Sequence, residues 1–397
     1  MTKAIVPRTT TFDNDFLGDP SDALRNLLQR AVHGAMELEF DQRVGAARYE
    51  RGEERLDQRN GTRSRRFDTR MGTIELDVPR LRNGTYSPSF LQPHTRSEQA
   101  LIAVVQEAFV CGVSTRKIQK LARELGIASI SKSTVSEYFK ELDEEARAFR
   151  ERPLAGKYPY ILLDALYEKV RIHRTVLSQA VVMAYGVRDD GTRELLGADI
   201  VDTESEESWT TFLRGLRDRG LDGVKLVITD AHRGLVNAVG TIFVGAAWQR
   251  CKVHFGRNVV DHAPKACKEK LAAAVHGIFN QPDQEAALAA YQAVREQFGA
   301  TCAKAMQILD DGLSDALTFM AFPREHWSRI SSTNPIERIN KEIRRRTRVI
   351  GIFPNIESAL RLISMILLEQ TEDWHTEKRY MSEESMAQLY MSDPPSE

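Results

Sequence analysis

Apolar residues follow two different rhythms along this chain. Some stretches show helical spacing, and others alternate or gather into short runs. Leu24, Leu27, Leu28 and Val32 predict a helix over residues 21–58. Residues 59–97 are rich in Gly, Arg and Pro. They hold one alternating stretch, Ile74, Leu76 and Val78, that predicts a short strand in a small β element with basic loops. Helical spacing returns over 98–142. Ser114 precedes a run from Thr115 to Leu125 with Ile118, Leu121 and Leu125 on one face, and Gly126 breaks it. Ser131 or Ser133 can cap a second helix carrying Val135, Phe139 and Leu142. The pair fits either a helix-turn-helix DNA reader or an ordinary helical hairpin.

A new region begins after the Arg152-Pro153 break, near Lys157. Strands are expected at Tyr160 to Asp164, Ser178 to Val187 and Glu194 to Val201, with Asp189-Asp190-Gly191 as a turn; close spacing makes them a meander. A helix from Glu206 to Gly220, a strand from Val224 to Thr229, a helix from Arg233 to Phe243 and a strand from Ala246 to Arg250 follow. The order βββαβαβ predicts a mixed sheet with helices on its faces, the order of a ribonuclease-H-like core. Residues 254–326 read as helical and alanine-rich, and a last helical stretch starts near Pro335.

Two carboxylates follow these strands. Asp164 closes YILLDAL and Asp230 closes VKLVITDAH, and neighbouring strands would bring them together. Glu337 lies at the start of the last helix. Three scattered carboxylates suit hard divalent cations, since two ions ~4 Å apart can activate the attacking oxygen of a phosphodiester cleavage and stabilise the leaving one. Carboxylate oxygens suit Mg2+ or Mn2+ and leave coordination positions open. Simpler readings exist. Asp164 could be a solvent-facing strand end and Asp230 a helix cap. Asn334, Pro335 and Glu337 fit an N-cap, a proline at N1 and a capping-box acid at N3. Glu342 is a rival ligand, although Arg338 lies four residues before it and can pair with it. Asn340, Lys341, Arg344 and Arg348 line the face below Glu337, beside an apolar stripe of Ile336, Ile339 and Ile343.

Composition changes this picture little. The four cysteines form no CxxC pair, which argues against a disulfide framework or a cysteine-rich zinc site. Cys251 and His254 form a CxxH pair, and two ligands alone make no zinc site. Trp209 and Trp327 flank the acidic segments and could pack in the core or stack on bases. Net charge is −1, so bulk charge announces no nucleic-acid partner, but its distribution does more. Residues 51–82 hold nine arginines and six acidic residues, with Arg63, Arg65 and Arg66 close together. Residues 337–348 hold one lysine, five arginines (Arg344, Arg345 and Arg348 among them) and two glutamates. Both stripes could dock on phosphate or simply face water. No apolar run approaches the ~20 residues of a bilayer span, and the first residues carry no apolar core segment. A cytoplasmic protein is expected.

The combination of RNGTRSRRFDTRMGTIELDVPRLRNGTYSP, CGVSTRKIQKL, YPYILLDALYEKVR, the ESW segment leading to LRDRGL, LVITDAHRGL, WQRCKVHFGRN and STNPIERINKEIRRRTRVIGIFPN resembles bacterial insertion-sequence transposases of the Mutator type, across nearly the whole chain. The resemblance puts the family's Asp-Asp-Glu triad on Asp164, Asp230 and Glu337. It puts the family's N-x-x-E element on Asn334 to Glu337, which favours Glu337 over Glu342. The family's cysteine-histidine pair falls on Cys251 and His254, with a supporting role. Ala231 and Val244 stand where many members have Gly and Pro; neither is itself an expected ligand, so the departures bear only on loop geometry. The resemblance implies an α/β fold: a ribonuclease-H-like core in two parts (151–262 and 329–397) around a helical insertion (263–328). Before it would come DNA-binding regions over 1–97 and 98–150. It further implies a nucleoid-associated enzyme of at least two copies, with two Mg2+ or Mn2+ ions. Such enzymes cut at the terminal inverted repeats of their own element, and the freed 3′ hydroxyl attacks target DNA. A nuclease without strand transfer and a domesticated DNA-binding regulator are the alternatives.

Overall fold

The computed structural model describes residues 20–47, 50, 55–89, 91, 97, 99–124, 127, 131–376 and 378–391. Contacts divide the chain into two units, one up to Lys140 and one from Glu141 onward.

The first unit contains α1 (Pro20–Val44), β1 (Arg59–Thr69), β2 (Gly72–Leu81), α2 (Gln99–Val110), α3 (Thr115–Glu124) and the start of α4 (Lys132–Glu151). The helix expected to reach residue 58 stops at Val44, because Gly45 takes a left-handed φ of 72°; residues 51–54 lie outside the described residues. Its expected apolar face is buried only in part: Leu28 and Val32 pack against the core of this unit. Leu24 and Leu27 are exposed, whereas Met36, Phe40 and Val44 pack with Phe67, Ile74, Leu76 and Val78 of the hairpin. Arg59 bridges Glu37 and Asp41 across the same junction. One strand was expected here and two exist. The largely polar β1 is held by its ladder to β2, Arg65 opposite Leu76 and Phe67 opposite Ile74, with burial confined to its last residues, Phe67 and Thr69. In α3 and α4, Ser114 and Ser131 accept from the backbone N–H of Lys117 and Thr134, the ST-cap geometry expected of them. Leu125 and Gly126 lie outside the described residues.

The second unit is built on a five-stranded mixed sheet. Its strands are β3 (Tyr160–Ile172), β4 (Thr175–Val187), β5 (Arg193–Val201), β6 (Leu226–Thr229) and β7 (Ala247–Arg250), in spatial order β5-β4-β3-β6-β7. The first three form an antiparallel meander, while β6 joins β3 in parallel and β7 joins β6 in parallel. Parallel pairs need crossovers, and α5 (Glu206–Asp218) and α6 (Arg233–Ile242) follow β5 and β6. Ser205 caps α5 by accepting from Ser208 N–H, with Glu206 and Glu207 complementing the dipole of its first turn. Gly234 lets α6 approach that turn, since a Cβ there would lie 2.7 Å from the Glu206 nitrogen.

Pleating divides β3 between two environments. Ile161 and Leu163 point into a core with Trp209, Phe212 and Leu213 of α5 and Leu235 and Val239 of α6. Tyr160 points the other way, toward Phe322 and His326. Beyond β7 come α7 (Lys252–Asp261), α8 (Lys268–Ile278), α9 (Gln284–Phe298), α10 (Ala303–Leu317), α11 (Trp327–Ile330), α12 (Asn334–Thr347), α13 (Ile356–Thr376) and α14 (Glu383–Met391). Of these, α12 and α13 pack on β3, and α13 also packs on β5. Among the described residues no helix is long and apolar enough to cross a membrane.

Candidate active site

The β3–β6 ladder sets the first two carboxylates. Tyr160 pairs with Leu226, Ile161 with Val227 and Leu162 with Ile228. The same offset carries Asp164 to Asp230, just where the two strands part. The short β6 ends at Thr229, and Asp230 Oδ1 accepts from His232 N–H at 3.1 Å as the chain turns into α6. Asp164 was expected at a strand end. It lies instead within a thirteen-residue strand, because β3 goes on pairing with β4, Asp164 opposite Met183. It faces the side of the sheet that α12 covers.

The first turn of α12 brings Glu337 to the same place. Ile336, Ile339 and Ile343 are buried beneath the helix. Asn340 donates from Nδ2 to Asp164 Oδ2 at 2.7 Å, and Thr347 donates to Glu168 of β3 at 2.8 Å. The helix is therefore bound along β3 at two levels. Its N-cap is Thr333, not Asn334, so Glu337 falls one position too late for a capping box. Glu337 Oε1 lies 3.3 Å from His254 Nε2 and 3.4 Å from Thr333 Oγ1.

Cys251 connects this helix to the sheet. Its N–H donates to the Thr229 carbonyl, extending the β6–β7 pairing, and it is the N-cap of α7. Its buried Sγ accepts from both the N–H and the Oγ1 hydroxyl of Thr333, each at 3.3 Å.

Charge is crowded here. Burial pushes the Asp164 carboxyl up to about 7, and the neighbouring Asp230 and Glu337 carboxylates add to the rise. His254 is raised to about 9, first by its hydrogen bond with Cys251 and also by Glu337 and Asp164. Burial works against ionisation of the Cys251 thiol, but His254 and Thr333 outweigh it and hold the thiol below its ordinary value. The Asn340 Oδ1 is buried with no hydrogen-bond partner among the described residues. Asp164 lies close enough to Asp230 and Glu337 to feel both charges, and carboxylate oxygens are the donors that hard cations favour.

Other residues singled out in the sequence sit differently. Lys341, Arg344, Arg345 and Arg348 are exposed on α12. Arg345 grips Glu342 with two hydrogen bonds, Arg346 adds another, and these hold the Glu342 carboxyl down at about 2. Arg345 and Arg346, not Arg338, are its partners here. Trp209 is fully buried against Phe212, so it is a core residue with no face for a base. Trp327 is half-buried, donates from Nε1 to the Phe322 carbonyl and meets Phe319 edge-on. In the first unit, Arg63, Arg65 and Arg66 line a groove of about 940 Å³ together with Arg80 and Tyr86. The residues that sequence reasoning undervalued are Thr333 and Asn340. Asn340 was visible as the residue one turn below Glu337, but nothing in the pattern showed that it is buried against Asp164.

A profile for the family described as "Transposase, Mutator family" matches residues 4–377. The transposase for insertion sequence element IS1081 of Mycobacterium tuberculosis is 43% identical over 362 residues, spanning 91% of this chain and 87% of that protein. The transposase for insertion sequence element ISRM5 of Rhizobium meliloti is 40% identical over 382 residues, 96% of each chain. The transposase for insertion sequence element IS256 in transposon Tn4001 of Staphylococcus aureus is 42% identical over 365 residues, 91% of this chain and 93% of that protein.

Proposed function

Given that the chain belongs to the Mutator family of transposases, we propose that it cuts DNA at the ends of its own insertion sequence and joins the freed 3′ ends to target DNA. The observation that carries this reading is the register that sets Asp164 beside Asp230, with the Glu337 helix bound to Asp164 through Asn340. The sheet order and the helices packed on it support a ribonuclease-H-like core, and α8 to α10 would be a helical insertion within it.

Asp164, Asp230 and Glu337 would hold one or two Mg2+ or Mn2+ ions; the crowded carboxylates and the raised Asp164 pKa fit a centre that expects added positive charge. Bound there, the ions supply a nucleophilic oxygen and stabilise the leaving one in an in-line displacement. The chain's own groups hold the geometry. The β3–β6 ladder, which ends just before both aspartates, would set their spacing, and the Asn340 bond would orient the Asp164 carboxylate. Lys341, Arg344 and Arg348, exposed on α12, would meet backbone phosphates and hold the scissile strand against the acids. The groove lined by Arg63, Arg65 and Arg66, and the helices α3 and α4, would bind the terminal inverted repeats. Two copies would be needed to bring two ends together.

The test uses purified protein, labelled DNA carrying the inverted repeats that bracket its gene, a target plasmid and Mg2+. Cleaved ends and joined product are expected, with both lost in Asp164→Asn, Asp230→Asn and Glu337→Gln. Cleavage with no joined product would reduce the activity to that of a nuclease. Binding with neither product in the wild type would leave only a DNA-binding role.

A further inference from the structure

Glu337 does not lean toward the two aspartates alone. Its Oε1 lies 3.3 Å from His254 Nε2, and Cys251 stands beside both. One donor atom from each of Cys251, His254 and Glu337 lies within 4.8 Å of the others. We propose that these three residues form a second metal site, selective for a thiophilic divalent cation such as Zn2+, and that filling it draws Glu337 away from Asp164 and Asp230.

The chemistry of the donors separates this site from the carboxylate pair. A thiolate and an imidazole favour Zn2+ or Cd2+, whereas Mg2+ favours oxygen alone. Bonds of ~2.3 Å to sulfur and ~2.0–2.1 Å to nitrogen or oxygen demand that the donors crowd to within a few ångströms, and the His254–Glu337 contact already meets that spacing. Cys251 and His254 come from the N-cap and first turn of α7, while Glu337 comes from the first turn of α12, so the site would clamp two helix starts. The outer shell is also in place. Thr333 donates twice to the sulfur, as a partner of a thiolate does, and its hydroxyl lies 3.4 Å from Glu337 Oε1. Three protein donors leave a fourth position for water. From the sequence, the CxxH pair lacked a third ligand; the fold supplies it from a residue 83 positions beyond His254. Glu337 turns Oε1 toward His254, so an ion held there would draw on the same side chain that the aspartate centre needs, and the two sites would compete for it. The binding claim stands on geometry alone; the inhibitory consequence rests on the catalytic reading of Glu337.

The probe is Co2+ added to the full-length protein, read by its sulfur-to-cobalt charge-transfer absorption. A band that saturates at one ion per chain and that Zn2+ bleaches is expected. Cys251→Ser abolishes it, His254→Asn and Glu337→Gln each weaken binding about tenfold or more, and Asp164→Asn leaves it in place. A band that survives Cys251→Ser, or that Asp164→Asn removes, overturns the site. Zinc-edge X-ray absorption of the wild type needs no variant: one sulfur with nitrogen and oxygen neighbours is expected, and a shell without sulfur overturns the proposal. In the cleavage assay, Zn2+ is then expected to suppress product in the presence of excess Mg2+. An intact band with undiminished cleavage overturns the competition. No cleavage in Mg2+ alone would count against the transposase chemistry, while the spectra would still decide the site.

Discussion

The two aspartates and the glutamate reach the same place by different means. Asp164 lies in β3 two residues past the last β3–β6 pair and Asp230 directly follows β6, so the backbone ladder just before them sets their juxtaposition. Glu337 rides on a helix whose seat depends on side chains: three buried isoleucines, the Asn340–Asp164 bond, the Thr347–Glu168 bond and the contacts of Thr333 with Cys251. Sheet geometry makes a rigid pair, and a docked helix makes a third member that can be tuned or displaced. This contrast can be broken or sharpened by substitution.

The largest effect is expected from the rigid pair. Asp164→Asn or Asp230→Asn should cut strand cleavage by about a thousandfold or more, the scale of losing several kcal/mol of metal-centred stabilisation. The fold should survive; for Asp164, burial already disfavours the charged form, so the variant should melt no lower than the wild type. A melting point well below wild type would mean that the carboxylates hold the sheet together. Next comes the seat of the helix. Ile343 is fully buried, and Ile343→Ala should cost about 2–5 kcal/mol in urea unfolding; a change near zero would show that α12 is not anchored by its apolar face.

A smaller loss tests the link between the two parts. Asn340→Leu keeps the volume but removes the donor to Asp164, and cleavage should fall about 10–100-fold with little change in stability. Full activity would mean that Asp164 needs no such orientation. The smallest effect concerns His326, which is buried, bonded through Nδ1 to Tyr160 at the start of β3, and pushed down to about 4 by burial and by Arg329. A histidine held neutral in the fold takes up its proton more readily when unfolded. Its contribution is present above its ordinary pKa of 6.5 and is lost as pH falls toward 4. Unfolding free energy should drop by about 1 kcal/mol between roughly pH 7 and 5.5 from this group, and His326→Gln should flatten that slope. An unchanged slope in the variant would assign the loss to other groups.

Much of the sheet was legible because burial writes itself into sequence. The runs VVMAYGV and LVIT are apolar without a break, as strands covered on both faces must be. The polar β1 was not legible, since its ladder partner holds most of it and only Phe67 and Thr69 at its end are buried. The second half of β3 alternates only weakly, Val170 being buried between exposed Lys169 and Arg171, so the strand seemed to end at its aspartate. At the site, the aspartates could be paired from strand order, but the N-cap shifted by one residue. Thr333 has no side-chain capping bond, and its hydroxyl serves Cys251 instead. Of the two readings open for Trp209, core and base stacking, its burial among Phe212 and Leu213 decides for the core.

The binding of α12 along β3 also bears on how the chain tolerates changes in length. Asn340 meets Asp164, Thr347 meets Glu168, and Phe353 exchanges backbone hydrogen bonds with Lys169 and Arg171. One residue inserted between the first two of these ties would turn the rest of the helix by ~100° and advance it by ~1.5 Å, breaking every tie that follows. The connections between α8, α9 and α10 carry no such phase relation to the carboxylates. Insertions and deletions should therefore accumulate among those helices, while the span from Thr333 to Phe353 should keep its residue count.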